Sequence, residues 1–149
     1  MPIGDPSSKQ WDLTMHSNDE RVDAKTGCIF CYPNVTHRIV VETGKVVAIY
    51  DLNPVTAGHM LVIPKRHVPT YFDLTDAERR DADHVLERVI LRLAKDDPTI
   101  SGYNIGVNCG ASAGQTIFHV HYHLIPRRDG DCRRPRGGVR GVIPIKMFY

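Results

Sequence analysis

The 149-residue sequence predicts an α+β domain: a mostly antiparallel sheet of about five strands with one long helix packed on it. Three observations predict it. Short β-branched runs follow one another with links too short for crossover helices. One long run carries apolar residues at helical spacing. The order is strands, helix, strands, which suggests a sheet covered on one face.

Residues 1–27 are polar, carry Pro2, Pro6 and Gly27, and show no period. They read as a flexible extension, with Trp11 and Leu13 as its docking residues. The pattern changes at Cys28. "HRIVVET" and "KVVAIYDL" flank Thr43-Gly44 and read as a hairpin. "HMLVIP" is a third strand, stopped by Pro64. Residues 75–95 form the helix. Thr75 with Glu78 makes a capping box, and apolar residues at 82, 85, 86, 89, 90 and 93 make one stripe. Asp97-Pro98 lies just beyond its end. "GYNIGVN" is a strand, "CGASAGQ" a loop of small residues and "TIFHVHYHLIP" a strand. Residues 28–128 are thus the expected domain. Residues 129–149 form an Arg/Gly-rich segment in which "VIPIKMFY" suggests one more short strand.

Composition excludes several classes. A net charge of +2 does not suit a protein that coats nucleic acid or carries a polyanionic tail. No apolar run approaches the roughly 20 residues that span a bilayer. The N-terminus lacks a basic start followed by an apolar core, so no secretory signal is expected. The expectation is a cytoplasmic protein with neither nucleic-acid nor membrane partners. Of the four cysteines, Cys28 and Cys31 form a C-x-x-C. In a reducing compartment that spacing favours a metal site or a redox pair over a structural disulfide. No βαβ unit follows, which disfavours the redox reading. Cys109 and Cys132 look like ordinary thiols.

The stretch "QTIFHVHYHLIPRR" carries three of the eight histidines, His119, His121 and His123. On a strand they share one face, and Phe118, Val120, Tyr122 and Leu124 share the other. The apolar face closes the core. The histidine face then looks into a site, because three imidazoles on a dry face are costly to satisfy. Alternate residues lie about 6.5–7 Å apart, so one ion with ligand distances near 2 Å cannot hold all three. Two adjacent ones can share a metal, which leaves a metal-dependent hydrolase open. It lacks the further aspartate of an H-x-H-x-D-H pattern.

With "GHMLVIPKRHV", "NCGASAGQ" and "HVHYHLIPR" in order, and Asp51-Leu52-Asn53-Pro54 before them, the sequence resembles the histidine-triad (HIT) family of nucleotide hydrolases and transferases. The resemblance covers roughly residues 28–128. It implies the HIT-like α+β fold, a homodimer and a purine nucleotide substrate. His121 is implied as nucleophile at the α-phosphorus, its ring oriented by the His119 carbonyl. A nucleotidyl-histidine then passes its group to water. A neutral imidazole can attack through one nitrogen if the other is held protonated.

The resemblance also implies that His123 and His59 contact phosphate. Asn108, Gln115 and Thr116 contact phosphate or leaving group, with Gly110 and Gly114 letting backbone amides approach. Asp51 takes the ribose hydroxyls, and Leu52 and Ile29 the base. Plainer roles stay open: Asp51 as a turn cap, Asn108 and Gln115 as loop hydrogen-bonders, Thr116 as a strand starter. Many bacterial-type members with "CIFC" carry a structural zinc. Carried over, its ligands are Cys28, Cys31, His67 and His119, against the alternative of two reduced buried thiols. The arginines from Arg127 to Arg140 either steer a polyphosphate or form a solvated loop. A nucleotide-binding protein with little catalysis is the remaining alternative. The retained His123 speaks against the uridylyl-transferring branch, which has glutamine there.

Overall fold

A computed structural model describes residues 25 and 27–149. The expected N-terminal extension, with Trp11 and Leu13, lies outside the described residues. A single turn of helix, α1 (Tyr32–Val35), leads into β1 (Ile39–Glu42), β2 (Val46–Tyr50) and β3 (Met60–Pro64). Next come the long helix α2 (Asp76–Asp96), β4 (Ile100–Val107) and β5 (Tyr122–Arg128). The five strands form one sheet in the order β1-β2-β3-β5-β4, every neighbouring pair antiparallel. This is the architecture the sequence predicts.

The β1–β2 hairpin turns at Thr43-Gly44 as expected. Thr43 N–H donates to the Val46 carbonyl at 2.9 Å. Asp81 on α2 clamps the turn, accepting from the Thr43 hydroxyl at 2.9 Å and the Lys45 amide at 2.8 Å. Helix α2 begins where its capping box places it. Glu78 N–H donates to the Thr75 hydroxyl at 3.2 Å, and Thr75 N–H donates to Glu78 Oε2 at 2.8 Å. Its stripe of Ala82, Val85, Leu86, Val89 and Leu93 is buried against the sheet.

Three expectations need correcting. The sheet is covered on both faces at its centre. In β2 and β3, Val46, Ala48, Met60 and Val62 pack towards α2, while Val47, Ile49, Leu61 and Ile63 pack with Phe30 and Val35 on the other side. Strands buried on both faces read as continuous apolar runs, as "MLVIP" does. The histidine stretch joins the ladder only at Tyr122, because the chain before it bonds elsewhere: Val120 N–H donates to the Val68 carbonyl at 2.7 Å. Val120, Tyr122 and Leu124 still fill the α2-side core, but Phe118 is 47% exposed and His119 is fully buried. The C-terminal "VIPIKMFY" forms no strand. Two short 3-10 turns, Gly138–Val142 and Pro144–Lys146, fold that segment, with Arg134 stacked on Phe148 and Arg140 over Tyr149. Among the described residues no helix is long and apolar enough to cross a membrane.

Candidate active site and metal centre

The β2–β3 connection, residues 51–59, is tied at its base. Asp51 N–H donates to the His59 carbonyl at 3.0 Å, and His59 N–H donates to the Thr56 carbonyl at 3.1 Å. Gly58 makes the return with φ +86°, in the left-handed region that favours glycine. A Cβ there would stand 3.3 Å from both Leu93 Cδ2 and Pro126 Cγ. The turn sets Asp51 beside His59, with Oδ2 3.5 Å from Nε2. Asp51 also caps its own turn, Oδ1 accepting from the Asn53 amide at 2.8 Å.

His121 lies just before β5, with Nδ1 2.9 Å from the His119 carbonyl oxygen. A carbonyl can only accept, so Nδ1 carries the proton and Nε2 keeps its lone pair. Phe30 meets the ring edge-on at 4.9 Å between centroids, and the His123 ring lies 5.1 Å away. His123, on β5, faces Leu61 on β3, and its Nδ1 lies 3.0 Å from His59 Nε2. Burial lowers the pKa of both His59 and His123. For His123 the neighbouring His121 and His59 add to this, and Asp51 opposes it in both. Both rings are therefore neutral near pH 7.

A cavity of about 240 Å³ opens over these groups. Ile29, Asp51, Leu52, Thr116, His121 and His123 line it, together with Phe30, Arg38, Asn53, Leu61 and Ile117. Ile29 and Leu52 form an exposed apolar rim, at 55% and 72%. His59 stands behind His123 and does not reach the wall. Gln115 is buried, and its side chain is spent on the loop. Oε1 accepts from the Gly110 amide at 2.8 Å, and Nε2 donates to the carbonyls of Pro69 at 2.6 Å and Ile117 at 3.2 Å. Gly114 closes the short turn Ala111–Ala113 with φ +88°. Neither it nor Asn108 lines the cavity. Phe30 and Ile117 adjoin predicted residues; Arg38 carried no motif at all.

The first triad histidine turns elsewhere. Cys28, Cys31, His67 and His119 gather their ligand atoms within 4.8 Å of one another. His119 Nδ1 lies 3.4 Å from Cys28 Sγ and 3.8 Å from Cys31 Sγ, and His67 Nδ1 lies 3.5 Å from Cys31 Sγ. A tetrahedral ion with Zn–S near 2.3 Å and Zn–N near 2.05 Å places S and N about 3.6 Å apart, so the cluster has the size of such a site. The orientation fits as well. His119 Nε2 lies 2.8 Å from the Pro64 carbonyl, so the proton sits there and the Nδ1 lone pair faces the thiols. Burial drives the His119 pKa down to about 4, so the ring is neutral, as a ligand must be. Burial raises the Cys31 thiol; a bound cation reverses that balance. Because His119 faces the thiols and His121 the cavity, these two do not chelate one ion.

The HIT domain family model matches residues 33–130. The chain belongs to the HIT family. Relatives of this HIT protein include the nitrilase and fragile histidine triad fusion protein NitFhit of Caenorhabditis elegans, 41% identical over 84% of this chain. The match spans only 28% of that fusion. The adenylylsulfatase HINT3 of Arabidopsis thaliana is 32% identical over 88% of this chain and 70% of its own length. The asymmetrical bis(5'-nucleosyl)-tetraphosphatase of Schizosaccharomyces pombe is 38% identical over 65% of this chain and 53% of its own. A solved zinc-bound histidine triad protein from Mycobacterium smegmatis is 38% identical, with TM-score 0.61 over 70% of this chain and 78% of that one. Relatives within the family thus include an adenylylsulfatase and a bis(5'-nucleosyl)-tetraphosphatase, and the Cys2His2 cluster has the composition of a metal site.

Proposed function

We propose that this HIT protein hydrolyses or transfers adenine nucleotides at the α-phosphorus, through a nucleotidyl-histidine on His121. The substrates are of the diadenosine polyphosphate or adenosine phosphoramidate type. The observation that carries the reading is the 2.9 Å contact between His121 Nδ1 and the His119 carbonyl, made at the wall of a cavity that also holds Asp51 and His123. It frees Nε2 for in-line attack. The Nε2 lone pair forms the bond to phosphorus, the bond to the leaving group breaks, and the leaving group departs with its electron pair and takes up a proton. Water then attacks the same phosphorus and releases a proton that replaces the one taken by the leaving group, the N–P bond breaks, and Nε2 recovers its lone pair. The protein's work is positioning and stabilising charge on the phosphoryl oxygens.

Asp51 receives the ribose hydroxyls, since a carboxylate accepts two hydrogen bonds. Ile29 and Leu52 offer the base an apolar rim. Cys28, Cys31, His67 and His119 would hold zinc. Bound there, zinc supplies a closed structural brace that fixes the His119 backbone, and so the carbonyl that orients His121. The test is turnover of adenosine phosphoramidate and diadenosine tetraphosphate by the wild type and by His121→Ala. Turnover of at least one that vanishes in the variant supports the reading. Binding of AMP without turnover of either substrate sinks it.

A further inference from the structure

His59 stands behind the cavity wall, in contact with His123 and not with the cavity itself. Its surroundings fix where its proton sits. Val55 N–H donates to His59 Nδ1 at 3.2 Å, so Nδ1 is the acceptor and a neutral ring must carry its proton on Nε2. That proton faces His123 Nδ1 at 3.0 Å and, more distantly, Asp51 Oδ2 at 3.5 Å. His123 Nδ1 must then accept, and a neutral His123 carries its own proton on Nε2. The chain of hydrogen bonds runs from a backbone amide, through two imidazoles, and ends in one N–H donor.

We propose that His59 is a positioning residue: held by the Val55 amide, it fixes the tautomer of His123, so that His123 presents Nε2–H, a donor, to the phosphoryl group or leaving group. The donor role rests on the nucleotide chemistry proposed above; the tautomer does not. In the opposite tautomer His123 would offer a lone pair to an anionic substrate and repel it. Asp51 adds a coupling. Its Oδ2 is the second acceptor within reach of the His59 proton. A ribose that occupies Asp51 turns that proton wholly towards His123. Ribose recognition thereby firms the donor at the phosphate.

The same geometry rules on another reading of the cluster. Asp51, His59 and His123 bring ligand atoms within 4.8 Å of one another, a spacing that also suits a cation. An ion there needs the Nε2 lone pair of His59, which moves the ring proton to Nδ1, against the Val55 N–H. The backbone amide therefore favours the hydrogen-bonded relay.

The test has two parts. Nitrogen-15 NMR of histidine-labelled, nucleotide-free wild type reads the tautomers directly. Both His59 and His123 are expected to be protonated at Nε2, and a His123 protonated at Nδ1 would overturn the proposal whatever the activity. The second part compares two variants. His59→Gln keeps an acceptor for Val55 and a donor for His123; His59→Leu keeps neither. Loss of the partner that orients a metal-bound histidine typically lowers activity about 10- to 100-fold, and a loss of the same order is expected here. His59→Leu should lose that much in kcat with little change in KM, and His59→Gln should recover most of it. Equal losses in the two variants would leave His59 a packing residue only. If His121→Ala stays active while the tautomers are as stated, the proposed reaction fails and the relay survives.

Discussion

One hydrogen bond decides what His121 can do. With Nδ1 committed to the His119 carbonyl, only Nε2 faces the cavity as a base. In the proposed reaction Asp51 holds the other end of the substrate. Asp51→Asn removes the charge but keeps one acceptor, so KM for the nucleotide should rise more than kcat falls, in steady-state assays. Gln115 belongs to the scaffold. Gln115→Ala strands the Gly110 amide and the Pro69 carbonyl, and denaturant unfolding should show a loss of about 1–3 kcal/mol. An unchanged midpoint would mean that water replaces the amide. Much of this site was legible in the sequence, because histidines alternating with apolar residues are hard to explain as packing. For Gln115 the plainer role, a loop hydrogen-bonder, is the one its contacts show, but its partner at Pro69, 46 residues away, was not legible. Nor were Phe30 and Arg38: a wall residue needs only to be brought near, and no motif marks that.

Each element owes its limits to identifiable residues. Thr75→Ala removes the cap of α2 and should cost about 1 kcal/mol by denaturant unfolding. Gly58→Ala forces a side chain into φ +86° against Leu93 and Pro126. It should cost about 1–3 kcal/mol and, by shifting His59, lower kcat as well. Asp97 ties the end of α2 to Thr99 and to Arg128 on β5. Those bonds, Thr99 first, hold its pKa down to about 2 from an ordinary 3.8. The sign follows: the folded carboxyl binds its proton later than the unfolded one. Its contribution is fully present above about pH 4 and is lost as pH falls through about 2. Carbon-13 titration of the Asp97 carboxyl should give a midpoint near 2; a midpoint near the ordinary value would show the ties absent in solution. The helix was legible end to end, since its stripe and cap are local. The start of β5 was not. Alternation predicts extended backbone, but a ladder also needs a neighbour, and Val120 bonds to Val68 instead.

Across the whole molecule, the sheet separates two kinds of work. The α2 side is packing. The other side carries a second apolar cluster, the cavity and the Cys2His2 group, joined by His119, whose ring serves the thiols and whose carbonyl serves His121. Metal analysis should find one zinc per chain. Chelation should lower Tm and also depress kcat, because the carbonyl that aims His121 loses its anchor. A drop in Tm with kcat untouched at lower temperature would separate the two. The most direct measurement is to trap the intermediate. Wild type mixed with substrate and quenched in mildly alkaline denaturant should gain, by intact mass, one nucleoside monophosphate unit, mapped to the peptide holding His121 and absent from His121→Ala. Steady turnover with no adduct in the wild type, or turnover that persists in His121→Ala, would contradict it.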